Sequence, residues 1–170
     1  MNKKKIAVIS AMVLLLLIAA GAAYLVYSRP MTIPQRYPML TLEQCTEISG
    51  VYADGTEIST KKFTVDRSSE AFAMLWDLFY EPEYRRGLND LFPKDSRTRN
   101  VAPDDFEWTV CFHFEDVVFP DGRVVPGTVL VFQNWYGELD ITFNGEPLFC
   151  YTSEQEAWAK EIFTIIQEFS

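Results

Sequence analysis

The chain is poor in the residues that most often do chemistry. It has one histidine, His113, which leaves a zinc hydrolase without its usual ligand set. Its three cysteines, Cys45, Cys111 and Cys150, form no CxxC pair, so neither a zinc ribbon nor a thioredoxin-like redox couple has support. GxGxxG, P-loop and GxSxG patterns are all missing, which removes the common sequence signals for dinucleotides, nucleotide phosphates and a nucleophile elbow. No cofactor is expected. Acid is missing from one end: all 24 Asp and Glu lie from Glu43 onward.

What the chain does have is a long apolar run. After MNKKK, residues Ile6 to Tyr27 read IAVISAMVLLLLIAAGAAYLVY, 22 residues without a charge. Crossing the hydrocarbon core takes about 20 apolar residues, and backbone groups in lipid must be bonded internally, so a spanning segment is helical. A secretory signal would have a shorter apolar core and a small-residue cleavage site, for which Ala20-Gly21-Ala22 would serve. The run continues past that site through Tyr24, Leu25 and Val26, so the length favours an uncleaved anchor. A cleaved, secreted form starting near Ala23 is the alternative. Lys3, Lys4 and Lys5 place the N-terminus in the cytoplasm and the rest outside. The expected organisation is a basic tip (1–5), a transmembrane signal-anchor helix (6–27) meeting the lipid bilayer, a spacer (28–41) and an extracytoplasmic domain (42–170). In the spacer, Pro30, Pro34 and Pro38 argue against regular helix and for a semi-rigid extended stalk.

From Glu43 on, ten basic residues stand against 24 acidic ones, a net charge of −14. Such a domain repels nucleic acid, so no nucleic-acid partner is expected. Its aromatic content separates it from a disordered acidic tail.

The pattern along the domain predicts α+β: a hairpin and a four-strand antiparallel meander packed by two amphipathic helices. CTEISGVY and TEISTKKFTV flank Ala53-Asp54-Gly55, a hairpin signal. Phe72, Leu75, Trp76 and Phe79 make a helical stripe with Asp66 or Ser68 as cap and Pro82 just beyond. Residues 81–105 are irregular, with room for a short helix from Glu83 to Phe92. Phe106 to Glu115 alternates with period two, the mark of a strand with one apolar face. It turns at Pro120-Asp121-Gly122 and returns as VVPGTVLVFQNW. ELDITF and PLFCY flank Asn144-Gly145, the strongest two-residue hairpin signal. Ser153 and Glu156 form a capping box ahead of a stripe of Trp158, Ile162, Ile165 and Phe169.

Two stretches, TVDRSSEAFAMLWDLF and YTSEQEAWAKEIF, set an edge strand into the first helix and open the closing helix. This layout over Cys45 to Phe169 resembles small membrane-tethered extracytoplasmic domains of Gram-positive bacteria, the YhfM-like domains. The resemblance implies an antiparallel α+β domain on an N-terminal anchor and carries no catalytic residues. The chain departs from the lipoprotein members in having no lipid-bearing cysteine.

TVCFHFED gathers Cys111, His113, Glu115 and Asp116. Alternation puts Cys111, His113 and Glu115 on one strand face, about 7 Å apart in succession, too far for a ready-made pair. A nucleophilic thiol needs a neighbouring cation or helix N-terminus, and the near charges here are acidic. A two-residue turn at Asp121-Gly122 sets Cys111 opposite Phe132 and His113 opposite Leu130. The expectation is an ordinary sheet face with no catalytic residue. Asp104-Asp105 and Glu115-Asp116 lack the spaced oxygens of a calcium loop, so no metal is expected.

Candidate binding residues lie elsewhere. Arg85, Arg86, Lys94, Arg97 and Arg99 are half of the domain's basic residues, with Tyr84 and Phe92 for stacking. They suit a phosphate-rich envelope polymer or an acidic protein partner; a solvated loop offset by Glu81, Glu83, Asp90 and Asp95 is the structural alternative. Trp135 and Tyr136 suit a carbohydrate or protein contact, or close the core. Any disulfide is expected to join Cys45 to Cys111, both on polar strand faces, leaving Cys150 buried opposite Leu139. The functional expectation is a non-enzymatic binding or interaction module anchored at the cell envelope. A carboxylate-based envelope hydrolase is the alternative.

Overall fold

A computed structural model describes residues 3–54, 61–87, 99–100, 106–133, 138–148 and 155–169. The apolar run forms one helix, α1 (Lys3–Tyr27). From Lys5 to Tyr27 it has a mean hydropathy of 2.7 over its best window, long and apolar enough to cross a membrane as an anchor or a signal sequence. Its large side chains are bare, Leu15 and Leu16 at 66% and 68% exposure. A soluble helix hides one stripe against its domain; this one hides none of its central window.

The domain is α+β and antiparallel throughout. Five strands carry it: β1 (Cys45–Asp54), β2 (Lys61–Val65), β4 (Phe106–Val118), β5 (Val124–Gln133) and β6 (Glu138–Phe143). Two-residue strands β3 (Arg99–Asn100) and β7 (Glu146–Pro147) both pair with β6. The order across the sheet is β2-β1-β4-β5-β6-β3. The first hairpin therefore lies beside the long Phe106 strand, and β4 to β7 follow as the meander. β3 comes from the stretch read as irregular. Of the short helix expected from Glu83 to Phe92, Tyr84 and Arg85 form bridges instead, and 88–98 lie outside the described residues.

α3 (Glu70–Tyr80) buries the predicted stripe of Phe72, Leu75, Trp76 and Phe79. Its cap is Ser69, one residue beyond the expected Ser68, whose Oγ accepts from Phe72 N–H at 3.2 Å. α4 (Gln155–Glu168) buries Trp158, Ile162 and Ile165, but Phe169 falls past the helix end and is 46% exposed. Residues 151–154, including the expected capping Ser153, lie outside the described residues. Trp76 meets Phe112 and Phe114 at ring separations of 6.3 and 6.0 Å, Phe79 stacks on Phe112 at 4.6 Å, and Phe163 meets Tyr52 edge-on at 5.9 Å. Both helices thus contact the sheet face that carries Tyr52, Phe112 and Phe114. Trp158 Nε1–H donates to Leu78 O at 2.6 Å, joining α4 to α3.

The proline-bearing segment is not an extended stalk. Thr32 and Gln35 frame a single helical turn, α2 (Ile33–Arg36), in which Pro34 falls in the first turn, where its missing N–H would be unpaired in any case. Ile33 is fully buried and Leu40 is 1% exposed, both in the domain core. Met31 and Tyr84 exchange both backbone hydrogen bonds, at 3.1 and 2.9 Å. Tyr37 Oη donates to Leu148 O at 2.6 Å. The segment is the first piece of the domain.

Candidate functional site

His113 lies on the sheet face opposite the one that carries Tyr52, Phe112 and Phe114. Glu47, His113 and Thr128 share one row of the sheet, and Ser49, Cys111 and Leu130 the next. Cys111 therefore faces Leu130 rather than Phe132, and His113 faces Thr128 rather than Leu130. Two things move the register: the β4–β5 connection runs from Phe119 to Arg123, and β4 bulges between Phe114 and Val117, with Asp116 at φ +53°.

Ser49 Oγ and His113 Nε2 lie 2.7 Å apart, within reach for a base and a hydroxyl. Sequence reasoning missed Ser49, because only the pairing of β1 with β4 brings it to His113. The pair goes no further as a catalytic unit. Glu47, the nearby carboxylate, approaches the same nitrogen at 3.9 Å, and Nδ1 meets the Thr128 hydroxyl at 3.5 Å rather than an acid. A triad requires the acid on the opposite ring nitrogen. The His113 and Glu47 side chains are 38% and 51% exposed, open to water rather than enclosed around a substrate. Cys111 is held as a thiol, its pKa raised by burial, so it is no nucleophile at neutral pH. Among the described residues no group of three or more His, Cys, Asp or Glu is placed to hold a metal ion.

The expected Cys45–Cys111 disulfide is overturned. β1 has a bulge between Cys45 and Glu47, so Thr46 is an extra residue in the ladder. The parity of Cys45 flips: it pairs with Phe114 and faces the core, fully buried, while Cys111 stays on the opposite face opposite Ser49. Residues on opposite faces of a sheet cannot be bridged, and both are free thiols. Cys150 lies outside the described residues.

Burial raises the Cys45 thiol from the ordinary 9.0 to about 12, against the smaller lowering effect of Arg67. The folded protein therefore keeps a proton that the unfolded chain releases. This stabilisation is complete below pH 9.0 and is lost as pH rises from there toward about 12. Alkaline unfolding is expected to steepen over that window by up to about 1.4 kcal/mol per pH unit, and Cys45→Ala should remove that component. A denatured, unreduced sample should show both Cys45 and Cys111 labelled by a thiol reagent; a bond between them refutes the bulge.

A cavity of about 480 Å³ opens at another end of the sheet. Tyr37, Met39 and Leu40 line it from the former spacer, and Phe119, Val125 and Phe143 from the β-meander, with Arg123 and Asn144 as its polar side chains. Phe119 and Phe143 are 6.0 Å apart, and the Arg123 guanidinium covers Phe119 at 5.3 Å. Arg123 donates from its backbone N–H and its Nε to Asp121, at 3.1 and 2.7 Å, and these bonds hold the Asp121 carboxyl below the usual carboxylate range. The lining is mostly apolar, the form of a ligand-binding cleft.

The predicted basic residues divide. Arg85 is exposed and Arg86 half-buried, beside the end of α1. Arg99 lies in β3 with its backbone paired to Leu139. Lys94, Arg97, Trp135 and Tyr136 lie outside the described residues. The fold adds Arg29 and Arg36 to the Arg85 end, a grouping invisible in the sequence because 48 residues separate Arg36 from Tyr84. No family model, curated protein or solved structure matches this chain.

Proposed function

We propose that the protein is a single-pass, membrane-anchored binding module. In this reading α1 spans the membrane with Lys3–Lys5 in the cytoplasm, the acidic α+β domain stands on the outer side, at the cell envelope, and the function is recognition rather than catalysis. The observation that supports it best is the open apolar cleft between the membrane-proximal segment and the β-meander. It can hold an apolar group of a ligand and lacks the convergent acids and bases an enzyme would place there. One of its walls, Tyr37, Met39 and Leu40, comes from the segment that leads out of α1, so a ligand there is held near the bilayer surface in this reading. The resemblance of the layout to tethered domains of Gram-positive bacteria adds to the same reading.

Two measurements test it. Reporter fusions should be active in the cytoplasm at the N-terminus and outside at the C-terminus; the reverse pattern, or a released domain starting near Ala23, ends the anchor reading. A photo-crosslinking residue at Val125, on the cleft wall, should capture an envelope component in whole cells. The same residue at exposed Glu168 on α4 should not. Equal capture at both positions, or none at Val125, ends the cleft reading.

A further inference from the structure

Positive charge gathers where α1 leaves the apolar run. Arg29 follows α1 by two residues, and residues 28–42 contain no acid. The Met31–Tyr84 bridge brings Arg85 and Arg86 to the same place. Arg36 Nη2 donates to Arg29 O at 3.0 Å and to Tyr84 O at 3.4 Å. The Arg86 guanidinium lies 5.5 Å from the ring centre of Tyr27, the last residue of α1, and its Nη2 donates to Tyr37 Oη at 2.9 Å.

Every one of these partners is neutral: carbonyls, a phenol and an aromatic ring. Among the described residues the ion pairs join His113 to Glu47, Arg123 to Asp121 and Lys160 to Glu156, and none includes Arg29, Arg36, Arg85 or Arg86. Glu81 and Glu83 are near in sequence and exposed, but neither is paired with the cluster. Counted from Ser28 the chain carries 12 basic and 24 acidic residues, a net charge of −12, yet four guanidinium groups without an ion pair among the described residues gather beside the end of its apolar helix.

We propose that Arg29, Arg36, Arg85 and Arg86 form a seat for the anionic phosphate headgroups of the leaflet from which α1 emerges. The inference rests on the reading of α1 as membrane-spanning. Tyr27 ends the apolar segment and belongs at the interface, where Tyr rings are enriched. A guanidinium 5.5 Å from that ring is at headgroup depth. Guanidinium matches phosphate with paired N–H donors, and Arg36 and Arg86 are already fixed by their neutral partners, so little freedom is lost on binding. The bulk of the domain is acidic and repelled by the same surface. Attraction at one end and repelled acid elsewhere set the domain upright, with the α1 exit toward the bilayer. A surface-attracted cation contributes about fivefold in affinity for an anionic leaflet.

The test uses the full chain in nanodiscs of phosphatidylcholine alone or mixed with phosphatidylglycerol. Amide hydrogen exchange is read over residues 29–37 and 84–87. Exchange should be slower by about fivefold or more in the anionic discs, and about 0.5 M salt should erase the difference, since it shortens the screening length to a few Å. Arg85→Gln, which removes the charge from an exposed side chain, should shrink the difference, and Arg85→Gln with Arg86→Gln should shrink it further. A purely structural role for Arg86 would change exchange equally in both lipids, which refutes the proposal. So does equal protection of the wild type in both lipids, or the same slowing produced in phosphatidylcholine discs by inorganic phosphate. Failure of the chain to enter discs of either composition instead refutes the spanning reading.

Discussion

Gly50→Ala is expected to destabilise the domain by about 3–5 kcal/mol, the range of a severe core change. Gly50 sits in β1 between Phe63 on β2 and Val110 on β4, the centre of the three-strand edge of the sheet. A Cβ there would collide with the backbone carbonyl of Thr109 and come within 2.6 Å of the Phe63 ring. The ring can swing, but the carbonyl belongs to the β1–β4 ladder and cannot retreat without breaking it. Interiors packed to crystal density do not absorb such an overlap. Chemical denaturation of the domain, read by tryptophan fluorescence, checks this: a loss below about 1 kcal/mol would mean that β1 and β4 are not paired in this register. Gly122 is the control. It lies at φ +81° in an open turn with nothing near its missing side chain, so alanine there meets only the backbone cost of a positive φ.

Ile33→Asp should cost a similar amount, about 3–5 kcal/mol, because it buries an unpaired carboxylate in the core cluster. The result separates two pictures of residues 28–41. An extended stalk would tolerate the change, since a charge in a solvated linker costs nothing to the fold. A docked first turn would not, because Ile33 is fully buried. Proteolysis of the full chain gives a second reading. The Arg36–Tyr37 bond should resist trypsin in the wild type and be cut in the variant. Rapid cleavage of the wild type there would restore the stalk. The docked segment matters for the proposed function because it supplies Tyr37, Met39 and Leu40 to the apolar cleft and Arg29 and Arg36 to the arginine cluster. Domain and α1 then meet with almost no free linker between them.

Much of the fold was legible in the amino-acid order because its causes are local. Twenty-two uncharged residues make α1 whatever follows them. Phe72, Leu75, Trp76 and Phe79 repeat at helical spacing, and the alternation from Trp108 to Phe114 selects a strand with one buried face. Asn144-Gly145 carries its own geometry: both residues have positive φ, at 50° and 84°, and Leu148 N–H reaches Ile141 O at 2.9 Å, the register expected from a two-residue turn.

Tertiary structure decided the rest, and the reason is common to each case. One extra residue at Thr46 turns Cys45 from the polar face to the core, and a second bulge at Glu115–Asp116 lets Val117 return to it; period-two reading carries no mark of either, because a bulge is settled by the partner strand. Ser49 reaches His113 only through the β1–β4 pairing. Pro34 argued for an extended stalk from its own chemistry, yet the energy that folds that segment comes from Ile33 and Leu40 entering a core built mainly by later residues. The cleft and the arginine cluster share this origin, each assembled from positions dozens of residues apart. Local periodicity and turn chemistry act over a few bonds and can be read in order along the chain; burial and charge proximity act through space, and only the folded chain brings their partners together.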